Sequence, residues 1–186
     1  MTVAFVEIEP YAQEIIKQNF GAVADAESPR ERTESSLSRA GICPINGSPR
    51  LFSDIRTFDG AAYRGATLLT GGFPCQPFSQ AGKRGGAEDH RFLWPEMLRV
   101  ISEVWPAWVL GENVAGIVTM ELDRVLSDLE GEGYAVQSLV IPACAVDAKH
   151  RRDRVWIVGH NDSRVSGASG TGEAQRGATG LSEYAS

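Results

Sequence analysis

The sequence predicts an α/β fold built on a doubly wound sheet. Short apolar runs bounded by turn residues alternate with segments of helical spacing. Several of those runs also end in residues able to do chemistry, and in open α/β sheets ligands bind beyond the carboxyl ends of strands.

TVAFVEIE reads as a buried strand ending in acid, and PYAQEIIKQNF as a helix with proline in its first turn. Residues 21–50 carry Ser, Arg, Gly and Pro without periodicity, which predicts a long loop. LFSDI and ATLLTGG are short apolar runs expected to be buried strands. A glycine- and charge-rich loop occupies about 79–90, and FLWPEMLRVISEVW then has helical spacing. AWVLGEN predicts a further strand. In IVTMELDRVLSDLEGEG, apolar residues at 117, 118, 122, 125, 126 and 129 make one helical face closed by glycine. YAVQSLVIPA and DRVWIVGH read as two late strands. From about Asp162 onward Gly, Ser, Ala and Thr dominate, so residues 1–160 are expected to form the core and 161–186 a disordered tail.

A chain of 186 residues suits one domain with a sizeable core, and 42% hydrophobic with 23% charged residues is ordinary for a globular protein. No apolar run approaches the ~20 residues that span a bilayer, and no signal-peptide pattern is present. A cytoplasmic location without membrane contact is expected. The cysteines Cys43, Cys75 and Cys144 lie far apart, which suggests neither a disulfide framework nor a zinc site. A net charge of −6 argues against a broadly basic nucleic-acid coat. Two local basic concentrations remain, Lys83, Arg84, His90 and Arg91, and then Lys149 to Arg154.

Cys75 lies in GGFPCQPFSQAG (71–82), directly after a predicted strand. Pro74 and Pro77 restrict the backbone around it. Its thiol is intrinsically a strong nucleophile, which nearby Arg or Lys would activate. A cysteine is more often a small core residue; the strand-end position is what favours chemistry here. Glu112 ends the next strand but one, where a carboxyl group can donate a proton to a heterocycle nitrogen; alternatively Glu112 or Asn113 caps the following helix. In HRRDR (150–154), strand alternation would put Arg152 and Arg154 on one face, suited to a phosphate oxygen and a base carbonyl. A charge cluster at a strand start is otherwise solvated surface. Glu7 is either a plain strand-end acid or the ribose-binding acid of a fold whose first strand is absent, since only six residues precede it.

Taken together, these segments resemble the blocks of the DNA cytosine-5 methyltransferase family, in family order over roughly residues 3–160. VEIEPYAQ is similar to the second block, SDI to the third, GGFPCQPFSQAG to the fourth, ENV (112–114) to the sixth and HRRDRVWIVG to the eighth. The resemblance implies a Rossmann-like S-adenosylmethionine-dependent methyltransferase core with an incomplete doubly wound sheet. It implies Cys75, Glu112, Arg152 and Arg154 as catalytic residues. Glu7, Ile8, Asp54, Ile55, Phe73, Pro74 and Leu93 would then form the S-adenosylmethionine site, and Gln76, Ser79 and Asn113 would meet the substrate, double-stranded DNA.

The family's first block, a glycine-containing turn after a first strand, has no counterpart. Nor do the target-recognition region and the ninth and tenth blocks, and His150 stands at the usual glutamine position. The chain therefore resembles a fragment, a truncated reading frame or one half of a split bacterial or phage enzyme whose second polypeptide supplies the missing blocks. Three other readings stand beside it: an RNA cytosine-5 methyltransferase, a silent DNA- or partner-binding remnant, and a thiol hydrolase using Cys75, His90 and Glu112.

Overall fold

The computed structural model describes residues 3–25, 48–74 and 93–165. Its first sheet is small and parallel. Strand β1 (Ala4–Val6) leads into helix α1 (Pro10–Phe20), β2 (Val23–Ala24) and β3 (Arg50–Phe52), with β3 in the centre. Proline fits the first turn of α1 because it has no N–H to leave unpaired. Gly21 closes the helix at φ 64°, its N–H donating to the Lys17 carbonyl, a conformation that a Cβ would strain. The Phe20 ring returns to within 5.1 Å of Phe5, which seats α1 on β1.

Strands β1 and β3 are both shorter than their apolar runs. The Asp54 carboxylate accepts the Arg56 N–H at 2.9 Å and its carbonyl accepts the Thr57 hydroxyl, so SDI belongs to a turn and not to the strand. Val23–Ala24, within the predicted loop, pair with β3 because an extended valine finds an open edge there. Residues 26–47 of that loop lie outside the described residues.

The second sheet has the order β4-β5-β7-β6: β4 (Leu68–Gly72), β5 (Trp108–Val114), β6 (Ala135–Pro142) and β7 (Asp153–His160). β4 and β5 run parallel, while β7 is antiparallel to both of its neighbours. Helices α2 (Trp94–Val104) and α3 (Leu122–Gly131) cover one face. Trp94, Met97 and Ile101 from α2 and Leu122, Val125 and Leu129 from α3 pack on Val109, Val155 and Ile157. Each such buried side chain contributes on the order of 1.5–3 kcal/mol. The single helix expected from residue 117 is divided. Ala115–Thr119 form a 3-10 turn pinned by the fully buried Ile117, and α3 starts only after Glu121, whose φ of −135° is not helical.

A second cluster, Phe58, Tyr63, Val100 and Val104, gathers Ala4, Val6 and Phe52 from the first sheet and Leu69 from β4. The two sheets therefore share a core. On the other face of the second sheet the expectation of buried strands fails. In β4, Leu68, Thr70 and Gly72 are exposed while Leu69 and Gly71 are half-buried, the alternation of a strand covered on one side. Among the described residues no helix lies on that face, so the doubly wound arrangement is incomplete. Asp162–Val165 form a short helical turn (α4) at the point where composition predicts a tail. No helix of the described residues is long and apolar enough to cross a membrane.

Candidate functional site

The parallel pairing of β1 with β3 brings four of the expected residues to one strand-end rim. Val6 is in register with Phe52, and the Glu7 N–H donates to the Phe52 carbonyl at 2.9 Å. Glu7 thus follows one strand as Asp54 and Ile55 follow its neighbour. The Glu7 carboxylate accepts the Glu9 N–H at 2.8 Å and its carbonyl accepts the Gln13 side-chain amide, which fixes the entry into α1. Ile8, an aliphatic side chain, stands 61% exposed on the same rim.

Arg99 of α2, which the sequence did not single out, holds the turn beyond Asp54. Its guanidinium donates to the carbonyls of Ile55 (2.6 Å) and Phe58 (3.1 Å) while pairing with Glu96 (3.0 Å) and Glu103 (2.7 Å). Glu103 in turn accepts the Gly60 N–H at 2.8 Å. Burial works against the charge on Arg99, but the hydrogen bonds and charges of Glu103 and Glu96 outweigh it and hold the guanidinium above its usual range. The only signal in the sequence was the spacing of Glu96, Arg99 and Glu103 along one helix face. The carbonyls they reach are set by tertiary structure.

At the second sheet, Gly72 ending β4 is in register with Glu112 of β5, and Val114 with Arg154 of β7. Glu112 and Arg154 point to the same face, and Arg154 Nε lies 2.8 Å from Glu112 Oε1. A second nitrogen of Arg154 donates to the Asp153 carbonyl at 3.0 Å. Both side chains remain partly open to solvent. Phe73 follows β4 on the covered face, its ring 5.0 Å from Trp94, and is buried; Pro74 is exposed and Leu93 half-buried just ahead of α2. Cys75, Gln76 and Ser79, with Cys43 and His90, lie outside the described residues.

Two site residues are placed differently from the sequence expectation. Asn113 is only 3% exposed and sits on the helix-covered face. Its amide donates to the Phe73 carbonyl at 2.8 Å and its side-chain oxygen accepts the Val114 N–H, so it ties the end of β5 to the end of β4. Arg152 is not on the strand. β7 opens at Asp153, opposite Pro142, so the alternation argument that paired Arg152 with Arg154 does not apply. Arg152 is exposed at φ 35°, a strained backbone position for a residue with a Cβ, where the 143–152 connection turns into β7. Among the described residues no cluster of His, Cys, Asp or Glu is arranged to hold a metal.

The described geometry is that of an α/β fold, with acids at the ends of adjacent parallel strands and a carboxylate–guanidinium pair at the end of the neighbouring sheet. Residues 44–177 match the family of C-5 cytosine-specific DNA methylases, and the chain belongs to that family. It is 36% identical over 109 residues to the Type II methyltransferase NgoMIV of Neisseria gonorrhoeae, a match covering 56% of this chain and 35% of that protein. To the Type II methyltransferase PspPI of Psychrobacter sp. (strain TA137) it is 45% identical over 98 residues, covering 50% of this chain and 24% of the relative. The matches thus span about a third or less of these relatives. Among solved structures, the S. pombe Dnmt2 methyltransferase superposes with a TM-score of 0.60 at 20% identity, covering 93% of this chain and 49% of that one. A putative DNA modification methyltransferase from an E. coli prophage gives a TM-score of 0.60 at 21% identity, covering 87% and 40%. At these identities the structures establish the fold alone, a Rossmann-like α/β core.

Proposed function

We propose that residues 1–160 are the catalytic part of a DNA (cytosine-5-)-methyltransferase, which moves a methyl group from S-adenosylmethionine to carbon 5 of a cytosine flipped out of double-stranded DNA. The observation that carries this reading is the 2.8 Å Glu112–Arg154 pair, which stands beside the strand end leading through Phe73 and Pro74 into Cys75. The chain spans only part of its relatives, and a second polypeptide is proposed to complete the enzyme.

The rim at β1 and β3 fits the cofactor. Glu7 carries a carboxylate suited to ribose hydroxyls, Asp54 and Ile55 present an edge for adenine, and the exposed Ile8 offers a flat apolar surface to a purine. Phe73 and Leu93 would shape the adjoining wall, with Pro74 at its mouth. When bound, S-adenosylmethionine supplies an electrophilic methyl group on a sulfonium.

Base flipping costs a few kcal/mol, which contacts in the pocket must offset. The Cys75 sulfur forms a bond to carbon 6 of the ring, and the electron pair of the carbon 5–carbon 6 double bond shifts toward carbon 5. Glu112 donates a proton to ring nitrogen 3, which absorbs the developing charge, and Arg154 both orients Glu112 and contacts the base carbonyl. After methyl transfer, loss of the carbon 5 proton restores the double bond and expels the Cys75 thiolate. Asn113 acts by holding the Phe73 carbonyl and hence the entry to the thiol. Arg152, exposed beside Arg154, is assigned to a DNA phosphate, and Gln76 and Ser79 to contacts with DNA.

The direct test is duplex DNA carrying 5-fluorocytosine, in which the last elimination is blocked. With S-adenosylmethionine and the completing polypeptide present, a covalent protein–DNA adduct is expected, and Cys75→Ser should lose it. An adduct that survives that substitution refutes the assignment.

A further inference from the structure

Two neighbours hold the Phe73 ring. One is the Trp94 indole, with ring centroids 5.0 Å apart and planes at 47°. The other is Gly111 of β5, where an added Cβ would stand 3.6 Å from Phe73 Cε1. The Phe73 carbonyl is tied in turn by the Asn113 amide at 2.8 Å. Trp94 is the first residue of α2, so it is also the chain neighbour of Leu93. The placement of one indole therefore bears on two of the residues assigned to the S-adenosylmethionine wall.

Trp94 is only 1% exposed, and a buried indole needs a partner for its N–H. Its Nε1 donates to Asp128 Oδ2 at 2.8 Å, a bond that reaches from α2 to α3 between residues 34 positions apart. Leu93, the N-cap of α2, makes no side-chain cap hydrogen bond, so at Trp94 the polar anchor of the helix start comes from α3. Packing alone would seat an aromatic ring here and leave its rotation loosely set, whereas a directed hydrogen bond fixes it. The same Asp128 oxygen lies 3.7 Å from Arg124 Nε one turn earlier on α3, a weak pair at this exposure. The contact with Trp94 is the shorter of the two.

We infer that Asp128 is a positioning residue for the cofactor site. Its carboxylate fixes the Trp94 indole, and the indole sets both the ring of Phe73 and the entry of α2 at Leu93. Asp128 touches no cofactor and acts through Trp94. The inference rests on the proposed function only in taking Phe73 and Leu93 as part of the S-adenosylmethionine wall.

Calorimetry with S-adenosylmethionine on the full chain, joined to hydrogen exchange without it, tests the relay. Asp128→Ala should weaken binding by roughly two- to tenfold, the scale of one hydrogen bond's net contribution. Asp128→Asn keeps an acceptor oxygen and should recover most of that loss. Trp94→Phe, which leaves no buried donor unpaired, should weaken binding by a similar factor, and Asp128→Ala added to it should change nothing further. The Met97 N–H, which donates to the Leu93 carbonyl at 3.0 Å, should exchange faster in Asp128→Ala and at the parent rate in Asp128→Asn. Undiminished affinity in Asp128→Ala or in Trp94→Phe, however far the urea midpoint falls, would overturn the inference and leave the cofactor site in place. An Asp128→Asn no better than Asp128→Ala, an additive loss in the double variant, or unaltered Met97 exchange would do the same. A parent chain that binds no S-adenosylmethionine would instead sink the cofactor assignment, and with it the role given to Asp128.

Discussion

Arg154 Nε and Glu112 Oε1 lie 2.8 Å apart on neighbouring antiparallel strands, 42 positions apart in sequence yet nearly opposite one another in the ladder. Arg154 faces Val114, and Glu112 lies two residues back along β5, so the two side chains share a face and meet diagonally. The pair is partly solvent-exposed and is worth little to stability, about 0–1 kcal/mol. Its value is directional.

Glu112→Gln should therefore leave the melting temperature almost unchanged while methyl incorporation into DNA falls by roughly 10²–10⁴, the usual contribution of a positioned proton donor. Labelled-methyl transfer by the completed enzyme, read beside a thermal melt, checks both halves. Equal loss of fold and activity would mean that the carboxylate is structural.

Asn113→Leu removes the amide that satisfies the buried Phe73 carbonyl. A loss of about 1–3 kcal/mol in urea unfolding is expected, with a slower rate of adduct formation, since the strand end before Cys75 loses its tether. A variant that unfolds earlier but forms the adduct at the normal rate would confine Asn113 to stability.

Arg99→Ala should weaken S-adenosylmethionine binding by calorimetry more than it slows the chemical step, because it releases the turn that carries Asp54 and Ile55. The folded-state pKa of Arg99 is raised, so its contribution is present below the unfolded value and is lost only as pH rises through the folded one. That window lies in strong alkali. The effect of the substitution should accordingly be flat from pH 6 to pH 9; a strong slope attributable to Arg99 would contradict it.

Arg152→Gly offers a trade between stability and function. Relief of the backbone at φ 35° gains roughly 1–2 kcal/mol, offset by about 0.5–1 kcal/mol of unfolded-chain entropy that glycine adds. The urea midpoint should rise slightly while affinity for duplex DNA falls. A lower midpoint would show that the Arg152 side chain stabilises the fold.

Ile157→Ala tests the core directly. Ile157 is fully buried in β7 beneath α2 and α3, and truncation should cost about 2–5 kcal/mol in chemical denaturation. A cost under about 1 kcal/mol would mean that the two helices close over the cavity.

Much of this fold was legible from local pattern. DRVWIVGH became β7 residue for residue, and the apolar spacing of FLWPEMLRVISEVW became the buried face of α2, because both periods follow from backbone geometry. Boundaries were less legible. Asp54 ended a strand early by accepting the Arg56 N–H on its carboxylate, and Ile117 drew its turn into the core ahead of α3. Arg152 fell outside β7 because a strand begins where its partner lets pairing begin, here at Pro142, and alternation along one segment cannot locate that point. The buried role of Asn113 depended on a carbonyl 40 residues away.

The chain alone determined which residue types stand at the strand ends, since apolar runs and turn residues define those ends locally: an acid after β1, Phe-Pro-Cys after β4, Glu-Asn at the end of β5 and arginine at the start of β7. Only the tertiary structure decided which of them meet. Register between β5 and β7 joined Glu112 to Arg154, and helices laid on one face turned Asn113 inward while leaving Leu68 and Trp108 in solvent. The reason is physical: spacing along a chain sets side-chain direction, but strand pairing and layer packing set which directions coincide.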